Sequence, residues 1–109
     1  MPVYEPGKIL DVILESDKGS AKPPVWKIKA LSCREAIDLG KRIETELASK
    51  SESEQLEALA SILAEYVVGW EGLPVEYGPD KLLDVTSPRD LWRLDSAIRY
   101  QLGVQEKKA

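Results

Sequence analysis

The sequence contains no histidine and only one cysteine, Cys33, and these shortages exclude much metal and acid–base chemistry. Histidine is the commonest general base near neutral pH and the commonest zinc ligand in proteins. One thiol cannot close an internal disulfide, which fits a reducing compartment. We therefore expect no metal, no cofactor and no catalysis that depends on histidine.

Long apolar runs and glycine clusters are also missing. No stretch approaches the roughly 20 consecutive apolar residues that a transmembrane helix needs. Residues 1–7 lack the charged start and apolar centre of a signal peptide. The seven glycines never cluster as a phosphate-binding loop. These absences predict a cytoplasmic protein with no membrane partner.

Positive charge is scarce in the middle of the chain. Residues 32–72 contain four basic and nine acidic residues, whereas the parts on either side are close to neutral. Neutralisation of phosphates supplies most of the affinity of duplex-DNA binders, so an acidic protein is poorly suited to that role. We expect no nucleic-acid partner.

Two hydrophobic periodicities predict the fold. Residues 9–14 have apolar side chains on both faces, and residues 25–30 alternate between an apolar face and a lysine face. A polar turn joins the two segments, and this pattern predicts an antiparallel hairpin over about 8–30. Helical spacing and capping residues then predict helices over about 33–48, 52–69 and 88–102, followed by a solvated tail at 103–109. The sequence thus predicts one α+β domain over residues 1–109, a small N-terminal hairpin packed on three helices.

Trp70 lies between Gly69 and Gly72, where the second predicted helix must stop. Its position in the apolar arc of that helix predicts that it fills the core, with its indole N–H donating to a loop carbonyl. Glycine suits the left-handed turn that ends a helix.

Candidates for catalysis are weak. Cys33 at the first turn of a helix could have a lowered pKa, but without a histidine base we expect a buried or incidental thiol. Asp95 borders an apolar stripe and is predicted to pair with Arg99. We expect no catalytic residues and no enzymatic activity.

The outer face of the last predicted helix is the best candidate for binding a partner. It combines aromatic and basic residues, a composition enriched in protein interfaces. The set is Arg89, Trp92, Arg93, Ser96, Arg99 and Tyr100. Two alternatives stay open: Trp92 packs under the loop at 76–81 with the arginines solvated, or the face stacks single-stranded nucleic acid. Together with the acidic helices, this face also predicts that copies of the chain associate with one another.

Several of these segments resemble the tail-assembly chaperones of long-tailed bacteriophages. A strand leads into Leu31-Ser32-Cys33-Arg34-Glu35, and the motif Trp70-Glu71-Gly72-Leu73 is followed by a short segment with Leu82 and Leu83 and by a last helix. The resemblance covers about residues 8–102, and the long connection at 72–78 departs from it.

The resemblance implies a non-enzymatic role in the host cytoplasm, with the tape-measure protein and the tail tube protein as partners. It makes Trp70 and Gly72 a structural signature rather than a binding site. Two alternatives remain: a structural virion component, such as a head–tail connector or minor tail protein, and a small regulatory protein-binding module.

Overall fold

A computed structural model describes residues 7–105, with Ser16 by its backbone alone. In chain order these residues form β1 (Ile9–Val12), β2 (Val25–Lys29), α1 (Cys33–Leu47), α2 (Glu52–Leu63), β3 (Val67–Glu71), α3 (Leu82–Val85) and α4 (Pro88–Tyr100). The fold is therefore α+β, a three-stranded antiparallel sheet with helices. Of the predicted N-terminal segment and tail, residues 1–6 and 106–109 lie outside the described residues.

The sheet has the order β1-β2-β3, with β2 in the centre. Trp26 of β2 lies opposite Val12 and Trp70, and all three side chains are buried in one core that includes residues of the helices. On the other face, the Lys27 ammonium lies 3.2 Å from Asp11 and 3.6 Å from Glu71. The alternation predicted for the hairpin is the alternation between these two faces.

The second predicted helix, over 52–69, is confirmed for residues 52–63 and wrong beyond them. Helix α2 ends at Leu63, and residues 67–71 form the strand β3 instead. The apolar run at this point is compatible with either periodicity, and its aromatic and β-branched residues favour a strand. A two-stranded hairpin is marginal alone, so pairing β3 with β2 completes the sheet.

The end of the last predicted helix also differs. Helix α4 ends at Tyr100 because Gln101 adopts a left-handed conformation, with φ of 53°. Leu102, which the predicted helix placed on the apolar stripe, is consequently exposed. The N-terminal signals are confirmed, since Ser32 and Ser51 each form a reciprocal capping box with the glutamate three residues later.

Residues 103–105 are not the start of a solvated tail, as predicted, but lie along the outer edge of β1. The Ile13 amide donates to the Gly103 carbonyl at 3.0 Å, and the Gln105 amide donates to the Asp11 carbonyl at 2.8 Å. Gly103 has a φ of 77°, and a side chain there would collide with the Ile13 carbonyl oxygen. This contact requires glycine and covers one edge of the sheet.

Candidate partner-binding surface

Helix α4 is fixed in place by its start and by its inner face. The Ser87 hydroxyl accepts a hydrogen bond from the Asp90 amide at 3.1 Å, and Pro88 occupies the first helical position. On the inner face, Leu91, Leu94 and Ile98 are fully buried. These side chains anchor the helix to the core without help from its outer face.

The outer face carries the six residues singled out in the sequence. They recur at steps of three or four residues and lie opposite the buried leucines and isoleucine. We call this set the α4 stripe: Arg89, Trp92, Arg93, Ser96, Arg99 and Tyr100. Trp92 is 41% exposed and Tyr100 is 66% exposed. At 1.5 Å per residue, the stripe is about 16 Å long.

Arg99 differs from the other arginines of the stripe because it is paired within the domain. Its guanidinium donates two hydrogen bonds to the carboxylate of Asp95, at 2.9 and 2.6 Å. Asp95 is only 1% exposed, and the hydrogen bonds that its carboxylate accepts from Arg99 raise the pKa of Arg99. The predicted pairing is confirmed, and it means that Arg99 serves the packing of α4 before any partner arrives.

Arg99 also fixes how closely α4 approaches α1. Its guanidinium lies beside Gly40, where an added Cβ would come within 3.1 Å of Nη1. The guanidinium carbon lies 5.5 Å from the centre of the Tyr100 ring. At the C-terminal end of the stripe, Arg99 therefore contacts Asp95 and Tyr100 of α4 and lies beside Gly40 of α1.

A groove of about 550 Å³ opens where the end of α4 meets α1. Its walls combine apolar and charged side chains from both helices: Leu31, Ser32, Cys33, Ala36, Ile37, Gly40, Lys41, Glu44, Arg99, Tyr100 and Gln101. Ile37 is 53% exposed at its rim. The contribution of α1 to this groove was not predicted. The residue that could have indicated it is Ile37, an isoleucine outside the apolar stripe of an amphipathic helix.

Cys33 is exposed and lines this groove, so of the two expectations, a buried or an incidental thiol, the buried one is wrong. Across residues 7–105, histidine, cysteine, aspartate and glutamate form no group of three or more that could hold a metal ion. In the same range, no helix is both long enough and apolar enough to cross a membrane.

Trp70 lies in the core, and Gly72 is an exposed residue directly after β3. Trp70 is buried, and its indole N–H donates to the Val75 carbonyl at 2.8 Å, as predicted from its position before a loop. Tyr77 packs against Trp70 with ring centres 5.0 Å apart, and its hydroxyl donates to the Val67 carbonyl. Gly72 has a φ of 82° and closes β3. Their place is structural, although Trp70 belongs to a strand and not to a helix end.

Comparison with protein-family models, with curated proteins and with solved structures finds no match to this chain.

Proposed function

We propose that this protein is a non-enzymatic tail-assembly chaperone of a long-tailed bacteriophage. It acts in the host cytoplasm, binds the tape-measure protein through the α4 stripe and the adjoining groove, and supports assembly of the tail tube protein. The observation that supports this proposal is the run of exposed and half-buried aromatic and arginine side chains on α4, which ends in a groove. The resemblance at Leu31–Glu35 and Trp70–Leu73 supplies the identity of the partners.

The exposure of Trp92 is the strongest single support for a binding role. The inner face of α4 already buries Leu91, Leu94 and Ile98, so the helix does not need Trp92 to hold its place. In the loop at 76–81, under which Trp92 was alternatively expected to pack, the aromatic residue Tyr77 packs on Trp70. A tryptophan beside arginines supplies large contact area and hydrogen-bond donors, which is the combination found at interface hot spots.

The chemistry of the surface fits a helical client with apolar side chains. The groove between Ile37 and Tyr100 offers an apolar rim for one or two such side chains, and Lys41 and Glu44 offer polar contacts beside it. Contacts of this size are individually weak. A long repetitive client multiplies them by avidity and can still be released when the tube forms around it.

Co-expression with the tape-measure protein tests the proposal. Trp92→Ala combined with Arg93→Glu should leave the melting temperature within a few degrees of that of the parent, because neither side chain belongs to the core. The double variant should fail to co-purify with the client and should leave it insoluble. Lys22→Glu, in the exposed connection between β1 and β2, makes the same change of charge away from the stripe and should retain the client.

Two results would contradict the proposal in different ways. If the folded double variant keeps the client soluble, the α4 stripe is not the binding surface. If the protein remains in purified virions at a stoichiometry typical of a structural component, its role is structural and not that of a chaperone.

A further inference from the structure

The arginines of the α4 stripe differ in whether they form an ion pair within the described part of the chain. Arg99 pairs with Asp95, whereas Arg89 and Arg93 form no ion pair among residues 7–105. They lie one turn apart on the outer face, and Trp92 lies beside them. The stripe therefore presents two positive charges about 6 Å apart along the helix axis, with a large aromatic ring next to them.

The outer face of α2 has the opposite character. Residues 52–63 contain three glutamates and no lysine or arginine. Glu54 and Glu57 are exposed and lie three residues apart, about one turn of the helix. The next positions on this face are Ala58 and Ser61, both small, with Ser61 exposed. This face is acidic where the α4 stripe is basic and flat where the α4 stripe is bulky.

We propose that the α4 stripe of one molecule docks on the outer face of α2 of a second molecule. Arg89 and Arg93, four residues apart, lie opposite the two glutamates, three residues apart. Glu57 accepts from one arginine, and Glu54, whose Oε1 already accepts from the Ser51 hydroxyl at 2.7 Å, accepts from the other through its second carboxylate oxygen. The Trp92 ring covers Ala58 and Ser61, whose small side chains leave room for it. The occupant is thus a second copy of this chain, selected by charge and by shape.

The geometry of this contact sets the kind of assembly it can form. The two surfaces differ, so a pair of molecules keeps one free α4 stripe and one free α2 face, and association continues as an open or closed series. Single helix faces about 16 Å long bury far less than the roughly 800 Å² per partner of a stable complex. Association is therefore weak, and salt weakens it further because the charges are exposed.

Sedimentation velocity at increasing protein concentration, in low and high salt, measures this association. We expect the parent to self-associate in low salt and to dissociate in high salt. Arg93→Glu and Glu57→Lys should each weaken the association about tenfold, since each places like charges across the contact. Lys22→Glu and Glu76→Lys make the same charge changes at exposed positions outside both faces and should associate like the parent.

An equimolar mixture of the two folded interface variants provides the sharpest test. The first variant keeps an intact α2 face and the second keeps an intact α4 stripe, so mixing should restore the stronger association that neither variant shows alone. Circular dichroism checks that each variant is folded. A parent that stays monomeric at high concentration in low salt would overturn the inference, and so would a mixture that remains monomeric. The inference is independent of the client, because the experiment contains this chain alone.

Discussion

The two buried tryptophans should respond differently to the same substitution. Trp26 and Trp70 are cross-strand partners whose rings meet edge to face, with centres 5.7 Å apart. The Trp70 indole N–H donates to the Val75 carbonyl, whereas that of Trp26 is buried with no hydrogen-bond partner in the described part of the chain. We expect Trp70→Phe to destabilise the protein more than Trp26→Phe does.

The expected difference follows from the two indole N–H groups, because both substitutions remove a similar ring volume. Trp70→Phe loses a hydrogen bond worth about 0.5–1.5 kcal/mol. Trp26→Phe removes a buried donor without a partner, whose desolvation costs about 1–3 kcal/mol. The free energy of unfolding should therefore fall further for Trp70→Phe, by about 1.5–4.5 kcal/mol. Truncation to alanine adds a cavity, and Trp70→Ala should cost about 3–5 kcal/mol.

Urea denaturation of the parent and the two phenylalanine variants measures these values. An unfolding entropy of about 2.1 cal/mol/K per residue predicts that Trp70→Ala lowers the melting temperature by about 13–22 °C. If Trp26→Phe costs as much as Trp70→Phe, the Trp26 N–H has a stabilising partner, and the Trp70 ring face is the first place to look. If Trp70→Ala changes the melting temperature by only a degree or two, Trp70 does not belong to the core.

Two further predictions concern the backbone at the sheet edge and the surface carboxylates. Gly103→Ala should cost at least about 2 kcal/mol in urea denaturation, because it combines a left-handed φ with a collision at the Ile13 carbonyl; Gly19→Ala, which meets open space, should change stability by less than about 0.5 kcal/mol. Hydrogen bonds from Arg42 lower the pKa of Glu65, and those from Ser51 lower the pKa of Glu54. Their stabilisation is present above the ordinary pKa of 4.5 and is lost as the pH falls below it towards the lowered values. Urea midpoints between pH 6 and 3 should fall less steeply for Glu65→Gln than for the parent, and equal slopes would count against the assigned pKa shift.

The sequence predicted those features that depend on neighbouring residues. Both capping boxes and the Ser87–Pro88 start of α4 follow from local residue chemistry, and the structure contains them. Strand β3 was missed because the periodicity of the apolar run around Val67 is compatible with a helix as well as with a strand. The outcome depends on β2, which is distant in sequence and offers an unpaired edge to residues 67–71.

The groove was missed for a related reason. Its existence depends on how closely α4 packs against α1. At this crossing Arg99 lies beside Gly40, and the Arg99 guanidinium donates hydrogen bonds to Asp95. The pairing of Asp95 with Arg99 could be predicted from their i,i+4 spacing. The position of Gly40 against them could not, because it requires the tertiary arrangement of two helices that are far apart in sequence.

The protection of the sheet edges bears on where partners can bind. Residues 103–105 pair with β1, and the Tyr77 hydroxyl occupies the Val67 carbonyl of β3, so neither edge is fully available for strand addition. Under the two proposals, partners bind the helical surface instead. There the α4 stripe combines an exposed tryptophan with two arginines, Arg89 and Arg93, that form no ion pair among residues 7–105. A second copy and a client would then compete for one stripe. A single copy offers one small contact, whereas an extended client offers many in sequence, so avidity favours the client as soon as it is present. Under the two proposals together, self-association covers the stripe until a client replaces the neighbouring copy, and the weakness of the contact between copies allows that exchange.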